Sequence, residues 1–484
     1  MAVARKIAYN VVLNSFLKVF STVVLSLFSI RLITGYLGPD GFGDYSTILA
    51  FFAFFSALAD LGISAITARE ISREGADEKK ILSSVFSLRL AASFFVVCLS
   101  PALIFFFQYP DDVKIGISFA ALAILFSTTS LFLNGIFQKR LAMDKVALVE
   151  FFGKLLQVGL VLIIVKADLG FLPIAATLVA ALSFNAVFIF FLSRRFIRFA
   201  PHFDKEYWRH FLGLSWPIGV TAIISFAYFK MDTILLSLLR SSAEVGIYNV
   251  AYKIMENLIF FPAMLAGLIL PLLSKYIFTQ KERFRDIANT TFRVFFIIVT
   301  PLVVGTVFLA KDIVSIVGGG GFEASAPVLQ VLVFSLACIF FGHFFTMILV
   351  AGNAQKKLMQ TLFLAATVNI ILNSVFIREF SYMGAATVSV ITEAFVVFLT
   401  WWLAKKYVEY TPSWHHISRV IFSGCAMAGV LFLVKAVPFF FAGFVGVFSY
   451  LFFLWLTKAV TIHEVRSLFS RREKMVVGVE TPIS

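Results

Sequence analysis

Charged and amide side chains recur at helical spacing inside segments that are otherwise apolar. The densest set is Asn249, Lys253, Glu256 and Asn257, three or four residues apart and so on one face of a helix. Just upstream stand Lys230 and Asp232, with Ser225 below them. Lys18 follows Asn10 and Asn14 on the first apolar segment, and Arg31 closes it. Glu150, Lys154 and Gln157 form another stripe, and Ser389 with Glu393 a further one. A charge in hydrocarbon costs about 2.5–3.5 kcal/mol on insertion scales, so these groups must face protein or water. Fixed cations on a hydrated cavity offset the charge of an anionic ligand. Lys18, Arg31, Lys230 and Lys253, with Asn249 and Asn257 beside them, are therefore the substrate-binding candidates. Asp232, Glu256 and Glu393 are candidates for binding a coupling H⁺ or Na⁺, with nothing in the sequence choosing between the two. Plainer readings stand beside these. Lys253 could simply neutralise Glu256 or Asp232, Glu150 and Lys154 could pair as i,i+4 neighbours, and Arg31 could snorkel from a helix end. Asp60 and Arg89, at matching depth on adjacent segments, read as a structural pair.

These residues need long apolar helices to hold them. Hydrophobic residues make up 60% of the 484, charged residues only 14%, and mean hydropathy is +0.94; a soluble domain carries about 25% charge. The reading is an all-α polytopic membrane protein of about 14 transmembrane helices, each near the ~20 residues a bilayer requires. Span one covers 8–34, span two 43–66, span three 83–108, span seven 210–239, span eight 244–273 and span twelve 383–403. Of the 41 Lys and Arg, 28 fall on the side of the N-terminus, six on the other side and seven within spans. By the positive-inside rule both termini are expected in the cytoplasm, with the chain in the cell (inner or plasma) membrane. The net charge of +14 does not indicate nucleic acid, because the basic residues are scattered through short loops.

The chain repeats itself. Phe42-Gly43-Asp44-Tyr45 and Val245-Gly246-Ile247-Tyr248 share an apolar-Gly-x-Tyr order at an offset of 203, each beside a turn between spans. Gly135-Ile136-Phe137-Gln138-Lys139-Arg140-Leu141 and Gly352-Asn353-Ala354-Gln355-Lys356-Lys357-Leu358 match at 217. Ala175-Ala176-Thr177 and Ala385-Ala386-Thr387 follow, each with a basic pair beyond. An even number of helices returns the chain to its starting face, so two six-helix units are parallel repeats around an axis along the membrane normal. The division expected is an N-terminal six-helix lobe (1–200), a C-terminal six-helix lobe (201–410), two additional helices (411–460) and a cytoplasmic tail (461–484).

Catalytic signatures are absent from the sequence: it has no Walker A loop, G-x-S-x-G, H-E-x-x-H or paired C-x-x-C. An enzyme is not expected. Nor is a cofactor, apart from the coupling ion. Cys98, Cys338 and Cys425 lie in apolar runs and suggest neither a disulfide framework nor a metal site. Every loop on the side away from the N-terminus is short, which argues against a membrane glycan polymerase.

The segment Leu37-Gly38-Pro39 … Phe42-Gly43-x-Tyr45 resembles that of the Wzx-type polysaccharide flippases, members of the multidrug/oligosaccharidyl-lipid/polysaccharide exporter superfamily. So do Asp232-Thr233-Ile234-Leu235-Leu236, the run Val245 to Lys253, and Ala326-Pro327-Val328-Leu329-Gln330. The resemblance extends over nearly the whole chain. It implies two lobes that alternate access, and a polyprenyl-(pyro)phosphate-linked oligosaccharide moved from the cytoplasmic to the outer leaflet. The implied partners are that lipid-linked substrate, membrane lipid, and a glycan polymerase or other assembly-pathway proteins. The cavity lysines are not carried by a shared motif. Competing readings within the superfamily are a peptidoglycan-precursor flippase and a multidrug/cation antiporter. More bases than acids within the spans weighs against the antiporter.

Overall fold

The structure, a computed structural model, describes residues 20–414, 417–434 and 437–459. Lys18, Asn10, Asn14 and the expected tail at 461–484 lie outside those residues. A π-helical turn, Phe20–Leu25, leads into fourteen α-helices. They are α1 (Ser26–Asp60), α2 (Ile63–Ile71), α3 (Glu78–Ile104), α4 (Asp111–Lys139), α5 (Met143–Lys166), α6 (Phe171–Ser193) and α7 (Lys205–Leu239). There follow α8 (Ser242–Leu258), α9 (Phe260–Tyr276), α10 (Lys281–Val317), α11 (Ser325–Ala351), α12 (Gln355–Val408), α13 (Ile417–Leu433) and α14 (Phe439–Leu456).

Helix and span do not coincide everywhere. The backbone reverses inside α1 at Gly38 (φ 66°, ψ −172°) and inside α12 at Ser381 (φ 51°, ψ −133°), so each holds two spans. Conversely, span two is the second half of α1 plus α2, broken by left-handed Leu61 and Gly62. Span eight is α8 plus α9, broken at Ile259 because Pro262 offers no N–H to the carbonyl of Leu258. Counted as crossings, these give the fourteen expected spans. The first turn is tighter than its three glycines and proline suggest: only Gly38 leaves helical geometry, and Pro39 opens the next helix, where its missing N–H is no loss.

Spans two to six pack on one another as the first lobe, and α7 to α12 as the second; α13 and α14 pack on α10, where the Tyr450 hydroxyl donates to the Ile297 carbonyl at 2.9 Å. Rings such as Phe106 and Phe440, more than 80% exposed, line the outside of the bundle. That surface belongs in hydrocarbon, where helices associate through close packing and buried polar contacts rather than through exclusion of water.

The repeat is real, but one of its sequence landmarks is out of register. Equivalent helix reversals occur at Leu141 (φ 51°) and Asn353 (φ 58°), an offset of 212 rather than 217. Both close with the same backbone bond, Ala142 N–H to Phe137 O (2.9 Å) and Ala354 N–H to Leu349 O (2.8 Å). Gly135 is thus inside α4, whereas Gly352 caps α11. The Gly-Gln-Lys match is a coincidence of composition: Gln138 and Lys139 close α4, whereas Gln355 and Lys356 open α12.

The landmark at 203 has a structural meaning. Gly43 and Gly246 face each other's turns. A Cβ on Gly43 would lie 1.7 Å from the Ser242 carbonyl oxygen, and one on Gly246 would lie 2.2 Å from the Pro39 carbonyl oxygen. Pro39 and Ser242 are also 203 apart, so the two contacts are reciprocal, as across a two-fold axis. Around them the Ser242 hydroxyl donates to Asp44 (2.6 Å), Phe42 meets Phe322 edge-on (6.0 Å) and Thr34 donates to the Val317 carbonyl (3.3 Å). This seals the two lobes together at the face carrying the turns. A second seam runs along α7: Tyr109 bonds Ser237 (2.8 Å), Phe54 packs on Phe226 (5.4 Å), Gly62 abuts Gly219, and Trp208 donates to the Ser84 carbonyl (3.0 Å).

The glycine contact leads to a cross-linking prediction. In a background lacking the three native cysteines, Asp44→Cys with Ser242→Cys should form a disulfide on mild oxidation. Adding Gly43→Ala should cut its yield several-fold, because the methyl forces the turns apart by roughly 1.5 Å to restore van der Waals distance. Mass spectrometry of the tryptic disulfide reads the outcome; unchanged yield with Gly43→Ala would show that the glycine contact does not hold the seal.

Candidate functional site

Behind the glycine seal lies a cavity of about 300 Å³ between the lobes. On α1 its wall is Ser26, Ser29, Ile30 and Ile33, one stripe of that helix, followed past the turn by Phe42 and Tyr45. Lys154 enters from α5 in the first lobe; Lys253, Glu256 and Asn257 enter from α8 in the second. Glu256 accepts from two lysines at once, Lys230 of α7 at 2.5 Å and Lys253 at 2.8 Å. The Lys230 ammonium also stands 4.6 Å from the Tyr252 ring centre, a cation–π contact. Lys154 donates to Gln157 at 2.9 Å. All three lysines are partly shielded from solvent, and together with Glu256 they leave an excess of two cations. Such an arrangement suits an anion with more than one charge, approached from both lobes.

Not every candidate faces this cavity. Arg31 is out of phase with the Ile30–Ile33 stripe. It is exposed at the turn face, where its guanidinium occupies the space a Gly319 side chain would need. Asn249 is buried between α7 and α8, accepting from the Thr233 hydroxyl at 3.3 Å and donating to the Val245 carbonyl at 2.9 Å. Asn257 does line the cavity, donating to the Lys253 carbonyl at 2.8 Å. Lys18 lies outside the described residues. The sequence places Lys154 on a polar stripe, with pairing to Glu150 as the plainer reading, and it is not among the substrate-binding candidates. Its reach across the lobe boundary has no one-dimensional signature, although the stripe with Gln157 was visible.

The three acids separate. Glu256 belongs to the lysines. Asp232 and Glu393 share a second, smaller pocket inside the second lobe, with Asn369, Ser389, Thr392 and Tyr252. Its volume of about 20 Å³ is room for one water-sized occupant. The Tyr248 hydroxyl and the Thr233 N–H (2.7 Å) both donate to Asp232. Asn369 and Asn373 extend the polar wall, Asn373 donating to Asn369 at 3.0 Å and Asn369 to Thr392 at 3.4 Å. Among the described residues no group of three His, Cys, Asp or Glu side chains could hold a transition metal.

Asp60 and Arg89 meet in the first lobe at 2.5 Å. Arg89 is fully buried and also donates to the Thr128 carbonyl at 2.9 Å, while Asp60 accepts from Ser64 at 2.6 Å. The pair ties α3 to α1 just before the Leu61–Gly62 break that abuts α7.

Two helical lobes with matching reversals and a charged cavity between them have the architecture of the multidrug/oligosaccharidyl-lipid/polysaccharide exporter superfamily. The chain belongs within it to the family described as polysaccharide biosynthesis protein, which matches residues 3–277; the MatE family matches residues 217–375. It is 22% identical over 407 residues to the probable low-salt glycan biosynthesis flippase Agl15 of Haloferax volcanii, covering 82% of this chain and 84% of that one. It is 28% identical over 212 residues to the probable flippase AglR of the same organism, covering 43% and 44% of the two chains. Its fold superposes on that of the lipid II flippase MurJ in an inward closed conformation with a TM-score of 0.77, at 18% identity, covering 96% of this chain and all of that one. An inward-facing multidrug resistance transporter of the MATE family superposes at 0.62, with 14% identity, over 80% of this chain and 94% of that one.

The buried pair gives a stability test. Asp60→Ala strands the Arg89 guanidinium in low dielectric and should cost about 3–5 kcal/mol. Asp60→Ala with Arg89→Ala should be milder than the sum of the two single changes. Thermal unfolding of the purified variants measures this, and simple additivity would mean the pair carries no coupling.

Proposed function

We propose that the protein is a flippase that moves a polyprenyl-(pyro)phosphate-linked oligosaccharide from the cytoplasmic to the outer leaflet by alternating access. The observation that carries this reading is the cavity between the lobes, lined by Lys154 from one lobe and Lys253 from the other, with Lys253 sharing the Glu256 carboxylate with Lys230. Hydrocarbon alone cannot pass a phosphate-sugar headgroup. Lysines on both sides of a hydrated cleft offset its charge, while the polyprenyl tail stays in lipid. The seal at Gly43 and Gly246 closes one face, and its opening would release the headgroup on that side. The printed names of Agl15 and AglR, both probable flippases and one of glycan biosynthesis, support the substrate class. The excess of cations over acids disfavours a cation antiporter. The likeness in fold to MurJ keeps a peptidoglycan-precursor lipid as the second reading. Coupling to H⁺ or Na⁺ through Asp232 and Glu393 belongs to the same proposal.

One set of variants tests the transport reading. In a host dependent on this protein, Lys253→Gln and Lys154→Gln should each leave protein levels normal, lower surface glycan at least tenfold and cause lipid-linked oligosaccharide to accumulate inside. Lys253→Arg should keep partial activity, since the charge survives with altered geometry. Asp232→Asn and Glu393→Gln should instead remove the dependence of export on the ion gradient. Normal export by a well-expressed Lys253→Glu variant would overturn the assignment. Accumulation of a peptidoglycan precursor in place of an oligosaccharide lipid would favour the second reading.

Orientation is proposed from the basic loops. Single cysteines at Asp40 and Glu323, on the turn face, should react with an impermeant thiol reagent applied to intact cells, and one at Lys79 should not. Labelling of Lys79→Cys from outside would invert the topology.

A further inference from the structure

We infer that Glu256 is a resident anion, holding Lys230 and Lys253 in the place that the substrate's phosphates take and yielding them when the substrate binds. The inference rests on the phosphate-binding reading of the cavity and says how that site is tuned. Two ammonium groups from different helices, α7 and α8, converge on one carboxylate at 2.5 and 2.8 Å. Asp232, only two residues from Lys230, is turned away into the second pocket and is occupied by Tyr248 and Thr233. The structure thus assigns one acid to the lysines although two are near in sequence. The Glu256 side chain is 34% exposed and the lysines 21% and 24%, and Glu256 and Lys253 line the cavity wall, with Lys230 bound to the same carboxylate behind them.

A partly shielded lysine pair without a counter-ion would be costly when the site is empty, and would hold a phosphate too firmly to release it. A tethered carboxylate removes both problems, because binding becomes an exchange of one anion for another. The exchange also selects. A carboxylate satisfies both lysines together, so a headgroup competes well only if it too can reach both. A pyrophosphate, with charged oxygens on two phosphorus atoms, can bridge Lys230 and Lys253 and still face Lys154 across the cleft. A single phosphate is the poorer competitor. Glu256 would thus discriminate between phosphate classes without touching the substrate in the bound state.

The test uses the full chain in lipid nanodiscs, with inorganic pyrophosphate and inorganic phosphate as probes in isothermal titration calorimetry. Glu256→Gln should bind pyrophosphate at least tenfold tighter than the native protein and should narrow the preference for pyrophosphate over phosphate. In cells it should export less glycan despite the tighter binding, because release is slowed. Should Glu256→Gln fail to fold, Glu256→Asp carries the test: the shorter carboxylate reaches only one lysine and should also tighten pyrophosphate binding. Unchanged or weaker binding in whichever variant folds, with binding still lost in Lys230→Gln and Lys253→Gln, would overturn the resident-anion role and leave the site reading intact. Pyrophosphate binding insensitive to both lysine substitutions, or absent throughout, would overturn the two together.

Discussion

An ionised side chain inside a bilayer must have a partner, and this single constraint arranges most of what distinguishes the present chain from a plain helical bundle. Arg89 is buried to the last atom because Asp60 and a carbonyl receive it. Lys230 and Lys253 are held within the membrane-spanning helices because Glu256 is shared between them. Asp232 is buried because a phenol and a backbone N–H turn toward it. In each case at least one partner lies on another helix, so meeting the charge also fixes how the helices rotate. The polar residues therefore orient the lobes as much as they equip them.

The same constraint divides the molecule's tasks in space. Between the lobes the polar groups are lysines from both sides, in a cavity of about 300 Å³. Inside the second lobe they are acids and amides around a space for one small occupant. Tyr252 stands at the boundary: it lines the smaller pocket, and its ring receives the Lys230 ammonium that also serves the larger one. A change of occupancy in one pocket has a short physical route to the other, through that ring and through the two-residue separation of Lys230 from Asp232.

Much of this was legible in the residues. The number of crossings follows from hydropathy and the basic-residue count, and holds even where one helix carries two spans or one span two helices. The helical stripe on α8 predicted that Lys253, Glu256 and Asn257 share a face, which they do. Other features were beyond a one-dimensional reading. Asn249 fits the stripe by spacing, yet the neighbouring α7 covers it, and only packing reveals that. Arg31 was expected at the cavity from its stripe position on span one, but the Ile30–Ile33 phase carries it to the turn face. Lys154 stands on a visible stripe, but its place opposite Lys253 depends on the other lobe. The Gly-Gln-Lys repeat failed for a different reason: helix ends everywhere draw on the same few residue types, so a motif can recur without the backbone recurring.

The reciprocal contact of Gly43 and Gly246 is a self-complementary interface within one chain. Two copies of one turn meeting around a two-fold axis is the geometry of a homodimer, where every interface residue is used twice. A bulkier residue in place of either glycine meets a carbonyl of the other turn. The residues around them differ between the two copies: Phe42, which packs on Phe322, has Val245 as its counterpart, and Asp44 answers Ser242 while its counterpart, Ile247, is apolar. The two glycines are among what both turns keep in common, since neither carbonyl can retreat without parting the lobes.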